Sequence, residues 1–125
     1  MATWEQKVIT AAASVFGGKL YQDEAPDNVV SDYCVFSLVG GVDHVTLTGA
    51  YGMVNVRVQF TIVAKRNAAL SAFAIALRAA MFAANTATPR LNNNPLGPGF
   101  QLPSDDSTVK GRVLEFSIWH DENVG

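Results

Sequence analysis

The sequence predicts a two-layer α+β domain, in which a small mixed or antiparallel sheet carries two helices packed on one face. Three observations predict this fold class. Residues 54–64 alternate strictly between apolar and polar side chains, as a strand with one face on a core does. Residues 67–85 have the composition and spacing of a helix. The whole order reads helix, strand, short hairpin arm, long strand, helix, long loop, strand, and 125 residues are enough for one domain spanning 1–125.

The first helix is predicted from a capping-box pattern, Thr3 with Gln6 three residues later. Apolar residues then recur at helical spacing: Trp4, Val8, Ala11, Ala12 and Val15. Gly17 and Gly18 end the helix, because glycine readily adopts the left-handed conformation that closes one. We expect the acidic segment 20–32 to be an irregular, solvated connection.

Three or four strands follow from the apolar segments. Tyr33–Val39 is predicted as a strand that ends at Gly40-Gly41, and Val45–Thr48 as a short second one. The alternating segment 54–64 and the segment 109–120 complete the sheet. Their polar residues would form its other face, which suits a wet interface, a channel wall or plain solvent exposure: Arg57, Gln59, Thr61 and Glu115.

The second helix, 67–85, is unusually apolar, with Ser71 and Arg78 as its polar interior residues. One stripe should face the core: Leu70, Phe73, Leu77, Met81 and Ala84. Ile75 and Phe82 lie on the other side of the helix, with Ala72, Ala79 and Ala83. A helix that is apolar on both sides needs two coverings. The second covering is either a neighbouring subunit or the first helix. Asn67 is in position to cap the helix.

Residues 85–108 are predicted to form a long loop, since they contain four of the chain's five prolines. Such loops are uncommon in compact domains and tend to be functional or to become ordered on binding. We therefore take this loop as a candidate for contact with other proteins.

The amino-acid composition and net charge limit the kinds of function that the chain can have. Charged residues make up 16% of the chain and apolar residues 49%, so part of the surface is expected to lie in contacts. The net charge of −2 gives no electrostatic footprint for binding nucleic acid. Cys34, the single cysteine, is expected to be a small buried hydrophobe. We see no secretion signal, and Arg78 with the many alanines disfavours a membrane helix, so a cytoplasmic origin is expected.

The sequence shows no catalytic, cofactor or metal constellation. His44 and His120 are expected to be surface histidines, and no second ligand stands near either at a metal-binding spacing. Asp105-Asp106 is better read as a solvated loop than as a pair of catalytic acids. No glycine-rich phosphate loop is present. We therefore expect no enzyme activity and no cofactor.

Four segments of the chain follow one another in a recognisable order: Tyr33-Cys-Val-Phe-Ser-Leu-Val-Gly40, Leu47-Thr-Gly49, Val54-Asn-Val-Arg-Val-Gln-Phe-Thr-Ile-Val-Ala64 and Ala76-Leu-Arg-Ala-Ala-Met81. With these segments the chain resembles the tail-terminator (tail-completion) proteins of long-tailed bacteriophages. That family has a short first helix, a tyrosine-x-valine-phenylalanine strand, a valine-x-valine strand and a helix with a leucine-arginine step. The order of these patterns carries the resemblance, and the long loop is more extended here than in the family.

The resemblance implies a virion protein, assembled in the host cytoplasm, that forms a hexameric ring on the head-proximal end of the tail tube. The ring stops tube growth and joins the tail to the head connector, while DNA passes through without sequence-specific binding. Candidate subunit contacts are Ile75, Arg78, Phe82, Arg57, Gln59 and Glu115. Candidate contacts to the tube or connector are Arg90, Leu91, Leu96, Phe100 and Leu102.

Two other functions stay open from the sequence. The chain is alternatively another phage neck or tail-tube ring subunit, although a tube subunit would usually need more strands and a second sheet. The other alternative is a small α+β ligand-binding domain or enzyme, which would need a pocket with converging polar groups.

Overall fold

The sequence folds into an open mixed sheet with two helices, as the predicted α+β class requires. A computed structural model describes residues 4–26, 32–40, 53–86, 91–97, 99–101 and 110–121. Its elements are α1 (Trp4–Ala12) with a following 3₁₀ turn (Ala13–Phe16), β1 (Leu20–Gln22), β2 (Tyr33–Gly40), β3 (Met53–Ala64), α2 (Asn67–Ala84), β4 (Asn92–Pro95), β5 (Phe100–Gln101) and β6 (Lys110–Asp121).

The sheet is built around the two longest strands. Its order is β1-β2-β3-β6-β4, with β5 also paired to β6. β3 and β6 pair antiparallel along their whole length, from Met53 opposite Asp121 to Ala64 opposite Lys110. β1 pairs parallel with β2, and the other pairs are antiparallel. Among the described residues, β1 and β4 therefore lie at opposite ends of the sheet.

The core lies between one face of the sheet and the two helices. The alternation in β3 is confirmed, since every second side chain is buried: Val56, Val58, Phe60, Ile62 and Ala64. Three aromatic side chains form a row across the sheet, with ring centroids 6.0 Å apart for Phe36 and Phe60 and 5.5 Å apart for Phe60 and Phe116. The predicted inward stripe of α2 is buried at Leu70, Leu77, Met81 and Ala84.

The first helix is confirmed and packs against the second. Phe16, just after α1, lies 5.2 Å from Phe73 of α2 between ring centroids. Gly17 takes the left-handed conformation (φ 60°) that ends the helical turn. Its N–H donates to the Ser14 carbonyl, and the Gly18 N–H donates to the Ala13 carbonyl. Cys34 is fully buried on β2, as its apolar surroundings predicted.

Three sequence predictions about local structure are wrong. Part of the segment 20–32 is a strand, because Leu20 is buried and the Cys34 N–H donates to the Lys19 carbonyl. Asn67 does not cap α2: the cap position is Arg66, which makes no side-chain cap bond. The side-chain oxygen of Asn67 instead accepts a hydrogen bond from Gln101.

The third error concerns the long loop at 85–108. Asn92–Pro95 and Phe100–Gln101 are strands on the edge of β6, where a proline is tolerated because an edge strand need not donate on both sides. Pro89, Pro103 and the predicted strand 45–48 lie outside the described residues.

The two edge strands follow β6 with a local irregularity. Asn92 lies opposite Trp119 and Phe100 opposite Val113, so the edge accommodates extra residues between Pro95 and Phe100. Gly99, within this irregularity, has φ 79°, and a Cβ there would overlap Leu114 and lie 2.5 Å from the Val113 carbonyl oxygen. A glycine is needed because the edge passes so close to β6.

Candidate assembly surfaces

The outward face of α2 carries the two most exposed large apolar side chains of the described residues. Ile75 is 71% exposed and Phe82 is 78% exposed. They lie seven residues apart, two helical turns, and so point to the same side of the helix. The exposed residues around them are alanines: Ala72, Ala76, Ala79 and Ala83. α1 leaves this face exposed, so the expectation that the first helix covers Ile75 and Phe82 is wrong.

The same helix is apolar enough to resemble a membrane span. Its 18 residues have a mean hydropathy of 1.5, and 28% of them are buried within the protein. A core helix of a soluble protein passes the same test of length and composition, so this property alone is weak support for a membrane location. What distinguishes α2 is its exposed side, which carries two large apolar residues.

A groove runs beside this face, between α2 and the edge strand β4. Its volume is about 550 Å³, and Phe116 of β6 contributes to its wall. The lining comes from the second half of α2 and from β4: Arg78, Ala79, Phe82, Asn85, Asn93, Asn94, Pro95 and Phe116. Arg78 is the charged member of this set. The groove is therefore mainly apolar, with one cationic side chain and several amides.

Asn93 holds the two walls of the groove together. It is buried, and its side-chain amide donates to the carbonyl of Met81 and to that of Leu91, each at 2.8 Å. Its backbone N–H donates to the Asn85 side-chain oxygen, also at 2.8 Å. Unpaired carbonyls at a helix end need such partners. The asparagine thus fixes β4 against the end of α2.

The opposite face of the sheet brings together the predicted polar candidates. Arg57 and Glu115 form an ion pair, with Nε and Oε1 2.8 Å apart, in which Arg57 is the more exposed partner. Gln59 lies opposite Glu115 in the register of β3 and β6. Beyond them the Asn55 amide donates to the Ser117 hydroxyl at 2.7 Å. The prediction that Arg57, Gln59 and Glu115 share one surface agrees with this geometry.

The predicted docking residues divide into three groups. Leu96 is exposed and Phe100 is 54% exposed, so both present apolar surface at the β4–β5 edge. Leu91 is 1% exposed and belongs to the core, so we remove it from the docking candidates. Its position is fixed further by an N–H bond to the Ala84 carbonyl at 2.9 Å. Arg90 and Leu102 lie outside the described residues.

The described part of the chain shows no metal-binding chemistry, since no group of three His, Cys, Asp or Glu side chains converges there. Burial raises the pKa of the Cys34 thiol, which keeps it protonated and unreactive. His44 lies outside the described residues, and only the backbone of His120 is described, within β6.

Sequence reasoning found the exposed face of α2 but missed the groove. The run Asn92-Asn93-Asn94-Pro95 falls in the segment that the prolines predict as a loop. The apolar Leu91 directly before the run was a signal that this segment returns to the core.

Comparison with known proteins finds a structural relative. No family model matches the chain, and no curated protein matches it. Among solved structures, a chain described as "Virion of native gene transfer agent (GTA) particle" shares the fold, with a TM-score of 0.62 and 16% sequence identity. The match covers 91% of this chain and 91% of that chain. The two chains therefore share a fold along nearly their whole lengths.

Proposed function

We propose that this chain is a tail terminator of a phage-like particle. Copies of it form a ring, with six members implied by the family resemblance, on the head-proximal end of the tail tube. The observation that carries the proposal is the fold shared with a chain of the gene transfer agent virion over 91% of both chains. The order of motifs along the sequence independently resembles the terminator family.

The exposed face of α2 supports an assembly role. A cluster of large exposed apolar side chains usually marks a contact surface, whereas single exposed apolar side chains are common on any protein surface. A ring needs two different surfaces on each subunit, because its contacts are head-to-tail and close after a fixed rotation. We assign one to Ile75, Arg78 and Phe82. The polar face around Arg57, Gln59 and Glu115 is a further candidate, for a wet subunit contact or for the wall of the channel.

The proposed mechanism is steric. A ring seated on the open end of the tube occupies the site where the next tube ring would bind, so polymerisation stops without any bond being made or broken. Its other side is then offered to the head connector. DNA passes through the ring without being gripped, which suits the net charge of −2. The protein would reside in the virion neck after assembly in the host cytoplasm.

The β4–β5 edge is the proposed docking surface for the tail tube protein or the connector. Leu96 and Phe100 expose apolar side chains there, and Arg90 and Leu102 flank the edge in sequence. Apolar anchors of this kind supply most of the binding energy at protein interfaces.

The double variant Ile75→Lys/Phe82→Lys tests the ring contact. Both residues are exposed, so the free energy of unfolding should change little while assembly is lost. Mass in solution and electron microscopy with purified tail tubes would measure assembly. The matched control is Ile9→Lys/Thr10→Lys, which adds the same charge at exposed positions of α1 and should still assemble. Normal rings from the α2 variant would remove this face from the contact, and a wild-type chain that stays monomeric and ignores tubes would refute the function.

A further inference from the structure

The two ends of the described sheet differ in charge. At the β1 end, Asp23 and Glu24 directly follow the strand, and both are exposed. Asp32, also exposed, directly precedes β2. At the β4 end lies the groove whose charged lining residue is Arg78. Lys19, also exposed, directly precedes β1, so the β1 edge carries three carboxylates and one lysine and is net acidic. The other edge combines a cation with an apolar groove.

We propose that the groove between α2 and β4 receives the β1 edge, residues 20–24, of a second copy of this chain, with Glu24 facing Arg78. The inference rests on the ring proposed above and names the surfaces that would form it. The groove and the β1 edge lie at opposite ends of one sheet. A contact between them is head-to-tail, which is the arrangement that a closed ring requires.

The apolar part of the groove supplies the affinity in this arrangement. Phe82 is 78% exposed at the wall, and Phe116 lies below it. Covering Phe82 removes its apolar surface from water, at about 25 cal/mol per Å² buried, whereas Phe116 is already buried and adds little. Buried aromatic anchors commonly dominate the energetics of an interface.

The charges select the partner edge and its register. Exposed charges are screened beyond about 8 Å at physiological salt, so Arg78 must come close to a carboxylate to distinguish one edge from another. Charge complementarity at an interface governs orientation and association rate more than affinity. A second copy supplies acidic side chains at the required edge, which favours it over an uncharged lipid surface.

Charge reversal tests the contact. Arg78→Glu and Glu24→Arg should each weaken assembly about tenfold, since each places like charges together. The double variant should restore assembly, because the pair is re-formed with opposite signs. Asp23 is left unchanged, since its φ of 66° makes substitution there strained. Lys65→Glu, a charge reversal at an exposed residue between β3 and α2, is the matched control and should assemble normally.

Folding and assembly are measured separately, by urea unfolding and by sedimentation with and without tail tubes. If Arg78→Glu does not fold, Glu24→Arg still provides the test, because Glu24 is exposed. Rings that ignore both reversals would overturn the assigned contact and leave the terminator function standing. A wild-type chain that never assembles would overturn both.

Cross-linking identifies the partner surface directly. The variant carries Gln22→Cys and Ala79→Cys in a Cys34→Ala background, so that Glu24 and Arg78 are unchanged. A short bismaleimide should join position 22 of one chain to position 79 of the next. The expected products are a series of cross-linked oligomers, the largest of which contains as many chains as the ring. Dominant linkage between two copies of position 79 would indicate a two-fold contact and overturn the proposal. Flotation with phosphatidylcholine–phosphatidylglycerol vesicles, without cross-linking, would show a membrane as the occupant and also overturn it.

Discussion

Asn93 on the edge strand donates its side-chain amide to the carbonyl of Met81, three residues before the end of α2. The same amide also donates to Leu91, so one buried side chain joins the helix end, the chain returning from it and the edge strand. The groove between α2 and β4 exists because this asparagine sets the separation of its walls.

We expect Asn93→Ala to lower the free energy of unfolding by about 1–3 kcal/mol, because two buried carbonyls lose their donor. Urea unfolding measures this. Asn92→Ala, at the exposed neighbouring position, should change stability by less than about 0.5 kcal/mol. Equal effects of the two substitutions would show that the amide is not the connection.

Gly99→Ala should destabilise the chain by about 1–3 kcal/mol more than Gly97→Ala does. Both glycines have φ near 80°, so both substitutions bear the same backbone cost. They differ in space, because a Cβ at Gly99 meets Leu114 and Val113 whereas a Cβ at Gly97 meets nothing within 4 Å. Thermal unfolding of the pair separates the two costs. A similar loss for both variants would mean that β5 moves away from β6 to make room.

The Arg57–Glu115 pair should contribute little to stability. Since Arg57 is largely exposed, a double-mutant cycle with alanine should give a coupling of about 0.2–1 kcal/mol. The coupling should shrink further in about 1 M salt, where exposed charges are screened. A salt-independent coupling above this range would indicate that the pair is shielded from water by a neighbouring copy.

Cys34 should make the chain less stable in alkaline solution. Burial raises the pKa of its thiol in the folded state, so above about pH 8.5 the unfolded chain loses a proton that the folded chain keeps. Stability then falls by up to about 1.4 kcal/mol per pH unit over that range. Cys34→Ala should lack this added slope when unfolding is compared between pH 8 and 10. Identical slopes in the two proteins would mean that the folded thiol ionises normally.

The central strands and helices could be predicted because their patterns are long. β3 alternates over many residues, and α2 repeats its apolar stripe for five turns, so each specifies its own buried face. Ile75 and Phe82 were found by the same periodicity. They are apolar at positions where a surface helix is expected to be polar, and the structure shows that they are exposed.

The edge strands could not be predicted, because their pairing depends on distant residues. β1 has three residues and β5 has two, too few for a periodic pattern. β4 pairs with β6 despite a sequence of three asparagines and a proline, since Asn93 finds its partners in α2. The groove could not be predicted for the same reason. One of its walls is β4, and the residues of β4 favour a turn.

The row formed by Phe36, Phe60 and Phe116 has a consequence for assembly geometry. It extends from the groove to β2, where the Phe36 carbonyl accepts the N–H of Asp23 at 2.8 Å. Packed interiors resist compression, so this row fixes the distance and angle between the two ends of the sheet. The curvature of a closed assembly would then be set inside each subunit. If the proposed ring forms, a change of volume at Phe60 should alter how many copies close it, although Phe60 is buried inside its own subunit.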